Sequence, residues 1–141
     1  MALQAEFEPG DVDQDIEEMA DLCDELLDSD ISTDSLTLPI ETFAITVKLR
    51  GIRIRAFRER DPSEKVIGCL RRAFIRLPDL ARVSIVFAKY LFVRFQITVS
   101  DDDYNEGMAV LDKVINFRGP GDTPSPYQTM ALWTAVKFSF F

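Results

Sequence analysis

One helical pattern occurs three times along this chain and restricts the folds open to it. The pattern is a pair of apolar residues four positions apart, and its copies are Leu22 with Leu26, Leu70 with Phe74, and Leu111 with Ile115. Each pair marks the apolar face of an amphipathic helix. A helical hairpin cannot bury such a face alone, so repeated copies predict hairpins that stack on one another. The pattern favours a binding scaffold.

A longer apolar segment follows each of these helices and repeats in a similar register. Its markers are Ala44, Ala88 and Ala131, which lie 44 and 43 positions apart. Small side chains let helix axes approach closely, so we expect these alanines at helix contacts.

The two series together predict an all-α fold, an α-solenoid of about three antiparallel helical hairpins. The length of 141 residues and the apolar content of 47% suit one domain with one core. We expect an acidic flexible tail over residues 1–11 and a single domain over residues 12–141, with hairpins near 12–58, 61–100 and 103–141.

A two-layer α/β arrangement is the alternative fold. Apolar residues alternate with others from Phe43 to Leu49, as in a half-buried strand, and residues 83–99 are rich in β-branched and aromatic side chains. Residues 80–99, however, contain no Gly, Pro, Asn or Asp at which a strand could turn. Strands usually run to about five or six residues, so a helix fits this length better.

Charge is segregated along the sequence, whose net charge is −8. Residues 1–35 hold thirteen acidic residues and no Lys or Arg, whereas residues 48–94 hold thirteen Lys and Arg against four acidic residues. Opposite charges attract, so we expect the acidic first hairpin to dock against basic neighbouring helices. Binding of nucleic acid or an acidic partner by the basic middle is the alternative.

The sequence offers no residues for familiar catalytic chemistry. It has no histidine, which excludes Ser-His and Cys-His catalysis within this chain and removes the commonest metal ligand. Cys23 and Cys69 match no zinc or redox motif, so we expect reduced, packed thiols. The run Asp101 to Asp103 lacks the spacing of a calcium loop and suits a helix N-terminus. We expect no catalytic, metal or cofactor-binding residues, and no cofactor.

Three stretches of residues 61–141 carry a resemblance to a known family. They are DPSEKVIGCLRRAFIRLPD, VSIVFAKYLFVRF and SDDDYNEGMAVLDKVINFRGPGDTPSPYQTMAL. They resemble tetratricopeptide-like repeats, in particular the longer, degenerate repeats of large fungal proteins that often carry a C-terminal CHAT domain. The offsets of 41 to 48 residues exceed the roughly 34 of the standard unit. The resemblance implies an α-solenoid that presents a curved surface to a protein or peptide, in a fragment of a longer array.

The same resemblance suggests where a partner would bind. In such arrays the first helix of each hairpin lines the concave surface. Lys65, Arg72 and Arg76 form a row of cations on one predicted helix of this type. A row of cations can bind acidic side chains or a C-terminal carboxylate. These three are the candidate partner-binding residues, and a solvated helix face is the alternative.

We therefore expect a non-enzymatic protein–protein interaction scaffold. Nucleic-acid or acidic-partner binding through segment 48–94 is the alternative function. The acidic residues of 1–35 make nucleic acid the less expected partner, because they compete with phosphate for the same cations.

The apolar run from Trp133 to Phe141 predicts self-association through an exposed C-terminal helix. The N-terminus lacks signal-peptide regions, which favours the cytoplasm or nucleus. Three charges within Leu80–Val99 argue against a membrane span.

Overall fold

A computed structural model describes residues 9–54, 64–116 and 126–139, with side chains over 16–49, 64–116 and 126–136. Six helices account for nearly all of these residues. They are α1 (Pro9–Asp28), α2 (Thr33–Ile54), α3 (Glu64–Arg76), α4 (Ala81–Thr98), α5 (Asp101–Ile115) and α6 (Pro126–Ser139). Over these ranges the chain is all-α, as the sequence predicts.

The strand interpretation of residues 43–49 is wrong, because they form the middle of α2. Strand alternation would bury every second residue, Leu49 included. The buried residues are instead Phe43, Ala44 and Val47, and Leu49 is exposed. This spacing of one and three positions is that of a helix face. The described residues give no support to the two-layer α/β alternative.

The helix bounds differ from the predicted hairpins at several ends. Helix α1 begins at Pro9, so Pro9 to Asp11 belong to a helix and not to the expected tail, whereas residues 1–8 lie outside the described part of the chain. Helix α5 begins at Asp101, two residues before the predicted start. The predicted ends at residues 58, 61 and 141 also fall outside the described residues.

Helix α1 packs against α2, α3 against α4, α4 against α5 and α5 against α6, and among alternate helices α1 packs against α3, α2 against α4 and α4 against α6. Helix α4 lies at the centre, in contact with α2, α3, α5 and α6, and most of its side chains are buried. It ends at Val99, whose φ of 57° is left-handed and whose backbone N–H donates to the carbonyl oxygen of Phe95. The left-handed residue after a helix is usually Gly or Asn, and a β-branched residue such as valine rarely adopts this conformation. The local sequence therefore does not explain why the helix ends here.

The order of the contacts gives the helix directions. Asp21 contacts Lys65, and further along both helices Leu27 contacts Arg76, so α1 and α3 run parallel. Likewise Glu106 contacts Arg71 and Lys113 lies over the ring of Phe74, so α3 and α5 run parallel. Neighbouring helices run antiparallel, as in α4 and α5, where Arg94 meets Asp103 and Phe92 meets Gly107.

The predicted apolar pair of α3, Leu70 and Phe74, is buried. Other residues of the same face are buried as well, namely Val66, Ile67 and Ala73, together with Leu77 just after the helix. The three marker alanines of the second series, Ala44, Ala88 and Ala131, are also fully buried, as expected.

The stripe of α1 is partly wrong. Leu22 is 62% exposed, whereas Ala20 and Cys23 are buried in its place, together with Ile16 and Leu27. Residues 16, 20, 23 and 27 form one helix face, and residue 22 points away from it. Two of these buried residues, Ala20 and Cys23, are small, so apolar side-chain size does not identify the buried face of α1.

Candidate interaction surfaces

The predicted cationic row lies together on α3 and faces the acidic helix α1. Lys65 Nζ lies 3.2 Å from Asp21 Oδ2. Arg72 Nη1 lies 3.0 Å from Asp24 Oδ1, which is buried and has no aligned hydrogen bond, and Arg72 also contacts Asp28. These contacts confirm the expected docking of the acidic first hairpin on a basic neighbour. They are mostly exposed and contribute modestly to stability.

Arg76 completes this contact by capping the end of α1. Its guanidinium donates to the carbonyl oxygens of Leu27 and Ile31, the latter at 2.9 Å. The last turn of a helix leaves carbonyl groups unpaired and carries partial negative charge, and α1 has no basic residue of its own there. Arg76 supplies both the hydrogen bonds and the positive charge.

Lys65, Arg72 and Arg76 thus bind acceptors of their own chain. An acidic partner at this surface would have to displace Asp21, Asp24 or the end of α1. Their role in partner binding remains a prediction. Within the chain, the three cations hold α3 against α1.

A second charge network joins α3, α4 and α5. Arg71 donates two hydrogen bonds to Glu106, at 2.8 and 2.7 Å, and Arg94 donates two to Asp103, at 2.8 and 2.6 Å. Arg94 also contacts Glu64. The hydrogen bond to Asp103 raises the pKa of Arg94, and that to Glu106 raises the pKa of Arg71, against the opposing effect of burial. A pair of hydrogen bonds between an arginine and a carboxylate fixes the relative orientation of the two groups and adds to their attraction.

Asp103 has a different role from the one its position suggested. It lies in the first turn of α5, as the helix-dipole interpretation requires, but its carboxylate is buried against Arg94. Asp101 and Asp102 are exposed. Within the described residues, no group of three or more potential ligands is placed to hold a metal ion.

The two cysteines meet at the interface of α1 and α3, and both are buried, as expected. The largest influence on the pKa of each thiol is a hydrogen bond with the other. This bond, with burial and the nearby carboxylate of Asp24, raises the pKa of Cys69. It also lowers the pKa of Cys23, although burial and Asp24 oppose the change.

Helix α6 is apolar on two opposite faces. One face packs against α4 and α5, where Ala131 is fully buried and Gln128 donates to the carbonyl oxygen of Ile115 at 3.1 Å. The other face carries exposed apolar side chains, with Trp133 71% exposed. The members of this outer face are Met130, Leu132, Trp133 and Val136. The expectation of an exposed apolar terminal helix is confirmed for Trp133 and Val136, whereas Phe140 and Phe141 lie outside the described residues.

No family model, curated protein or solved structure matches this chain. The resemblance to tetratricopeptide-like repeats and to CHAT-associated proteins therefore remains a prediction. Among the helices that the structure describes, none is long and apolar enough to cross a membrane.

Sequence reasoning missed the cysteine pair and the network around Arg94. One signal was available for the cysteines, because Cys23 and Cys69 are separated by 46 residues, close to the offset between repeated units. Residues at equivalent positions of parallel stacked helices lie side by side. The network had a weaker signal, since pairing Asp103 with Arg94 depends on how α4 turns back into α5.

Proposed function

We propose that this chain is a non-enzymatic protein-interaction module built from stacked helical hairpins, and that the outer face of α6 is its contact surface. The observation that carries the proposal is the exposed row Leu132, Trp133 and Val136 on a helix whose opposite face is already packed. Contiguous exposed apolar side chains mark interaction sites, and tryptophan is enriched among the residues that dominate binding energy.

The helix directions support a solenoid arrangement for the module. The first helices of the three hairpins, α1, α3 and α5, contact one another in sequence and in parallel register. The second helices follow the same order, since α2 contacts α4 and α4 contacts α6. In repeat proteins each unit packs on its neighbours in this way, and the last unit presents a face that another unit can cover.

Charge supports a second copy of this chain as the occupant of the α6 surface. The chain carries a net charge of −8, and contacts through its acidic helix α1 would place like charges opposite each other. Helix α6 contains no Asp or Glu, and its described exposed side chains are uncharged. Helix α4 also lacks acidic residues, but it is largely buried. Two copies can therefore meet through α6 without opposing carboxylates.

Nucleic-acid binding through segment 48–94 receives less support. Phosphate binding needs cations that are free to replace counterions. Lys65, Arg71, Arg72 and Arg94 each pair with a carboxylate of the same chain. Half of the eight cations whose side chains are described in this segment are thus already paired with carboxylates of α1 and α5.

The proposal is tested by the molar mass of the chain in solution, measured by size-exclusion chromatography with light scattering over a range of concentrations. We expect the wild-type chain to associate and the double variant Trp133→Glu/Val136→Glu to remain monomeric. Carboxylates at both positions would have to be desolvated at the contact, which is costly for unpaired charges. Circular dichroism should show the same helical signal in both proteins, because both side chains are exposed.

The control is Leu38→Glu on α2, which introduces one of the two negative charges at an apolar residue about as exposed as Trp133. We expect this variant to associate like the wild type. A monomeric wild type at every concentration would contradict a second copy as the occupant, and so would association that persists in the α6 double variant. Association lost in Leu38→Glu would place the contact on α2 instead.

A further inference from the structure

The register of α1 against α3 brings two thiols together at a buried position. Asp21 contacts Lys65 on one side of the pair, and Asp24 contacts Arg72 on the other. Cys23 lies between the two aspartates in sequence, and Cys69 lies between the two cations. Parallel helices with these contacts place Cys23 opposite Cys69, and the hydrogen bond between the thiols agrees with this placement.

The pair has the asymmetry that disulfide chemistry uses. The hydrogen bond from Cys69 lowers the pKa of Cys23 and raises that of Cys69. Cys23 also retains slight exposure, whereas Cys69 has none, so Cys23 is the thiol that an oxidant reaches first. The thiolate is the form that attacks an oxidant, and a neighbouring thiol can then resolve the oxidised product.

We propose that Cys23 and Cys69 are a modification site, where a hydroperoxide such as hydrogen peroxide forms a reversible disulfide between α1 and α3. Cys23 sulfur attacks one peroxide oxygen, the O–O bond breaks, and sulfenic acid and hydroxide form. Cys69 sulfur then attacks Cys23 sulfur and displaces the oxygen as water. The hydroxide takes up the proton that Cys23 released, so two thiols and one peroxide give one disulfide and two waters. A dithiol reductant reverses the reaction by exchange.

The bond would tie the first hairpin to the second. It would close a loop that contains α2 and the start of α3, and cross-links over long loops stabilise chiefly by restricting the unfolded chain. The disulfide would then keep α1 in register with α3, so that its contacts with Lys65, Arg72 and Arg76 persist. In a reducing compartment such a bond is transient and acts as a redox-sensitive lock.

The test treats the reduced full-length chain with hydrogen peroxide and measures its mass, free thiols and thermal unfolding. We expect a mass decrease of about 2 Da, loss of both thiols without intermolecular cross-linking, and a peptide that joins Cys23 to Cys69. The midpoint of thermal unfolding should rise by about 10 °C and return after dithiothreitol.

Cys69→Ala is the matched variant, because it keeps Cys23 and removes the resolving thiol. We expect peroxide to add oxygen to this variant, with no thermal stabilisation, and dimedone to trap the sulfenic acid on Cys23. Two unreacted thiols in the wild type, after peroxide has oxidised free cysteine in the same tube, would overturn the proposal. So would a disulfide that joins two chains, or one whose formation lowers the unfolding midpoint.

Discussion

Arg72 and Arg94 both pair with aspartates, but water reaches them to different extents. The Arg94 side chain is 14% exposed and its partner Asp103 only 7%, whereas Arg72 is 43% exposed. An exposed ion pair contributes little to stability, because its attraction is largely offset by lost solvation and side-chain entropy. When a buried pair loses one partner, the remaining charge is left without water or a counter-charge, and the protein is strongly destabilised. Burial, and not the number of contacts, determines which pair matters.

Replacement of Arg94 by methionine should therefore destabilise the protein strongly. We expect the free energy of unfolding to fall by about 3 kcal/mol, because Asp103 is left buried and unpaired. The double variant Arg94→Met/Asp103→Leu should recover much of this loss, since it removes the second charge as well. Urea unfolding followed by circular dichroism measures both values.

Arg72→Met is the control at the exposed pair, where we expect a cost of at most about 1 kcal/mol. Equal losses in Arg72→Met and Arg94→Met would show that burial does not distinguish the two pairs. A double variant at the Arg94 pair that is no more stable than Arg94→Met would also contradict this account.

Residue types alone could not reveal the contacts of individual side chains. The sequence shows that residues 1–35 are acidic and 48–94 basic, and the attraction between them was predicted. Whether Asp103 would cap α5 or bind Arg94 depended on how closely the antiparallel helices α4 and α5 approach each other. The sequence does not show this distance directly. The pairing of Cys23 with Cys69 likewise required the register of α1 against α3.

At the scale of single helices, the contact between α4 and α5 depends on a glycine. A Cβ atom at Gly107 would lie 2.8 Å from Cε1 of Phe92, closer than carbon atoms normally approach. Phe92 is fully buried, so its ring has little room to move away. Gly107 therefore sets how closely these two helices pack.

Gly107→Ala should destabilise the protein by about 1 kcal/mol, although alanine is the better helix former. Overpacking a core costs about 1–3 kcal/mol, and the gain in helix propensity, about 1 kcal/mol, offsets only part of it. Chemical denaturation gives the difference directly.

Gly68→Ala on α3 is the matched control, because a Cβ atom there meets nothing within 4 Å. This variant should gain up to about 1 kcal/mol from propensity alone. If Gly107→Ala were stabilised to the same extent as Gly68→Ala, the close approach of α4 to α5 would be contradicted.

The element scale also shows why one apolar stripe was predicted well and another poorly. On α3 the large apolar residues other than the exposed Ile75 lie on the buried face, so size and spacing largely agree. On α1 the buried face includes Ala20 and Cys23, and the large Leu22 is exposed. A pattern of large residues identifies a face only when the neighbouring helix does not require small ones.

At the scale of the whole molecule, the all-helical fold could be predicted because several patterns agreed. The uninterrupted segment that became α4 was too long for a strand, and the alanine series marked buried positions in α2, α4 and α6. The exposed apolar surface of α6 could be anticipated from its composition, since the helix has more apolar residues than one packed face can bury. The residues of the outer face do not by themselves determine which molecule binds there. The charge distribution supports a second copy of this chain.

The emission of Trp133 tests the proposed contact most directly, because it is the only tryptophan in the chain and lies on the outer face of α6. We expect its emission to be shifted to shorter wavelength in concentrated samples, where a second copy covers the indole, and to move to the longer wavelength of water-exposed tryptophan on dilution. Val136→Glu should show the long-wavelength emission at both concentrations. Long-wavelength emission of the wild type throughout the dilution series would contradict the contact.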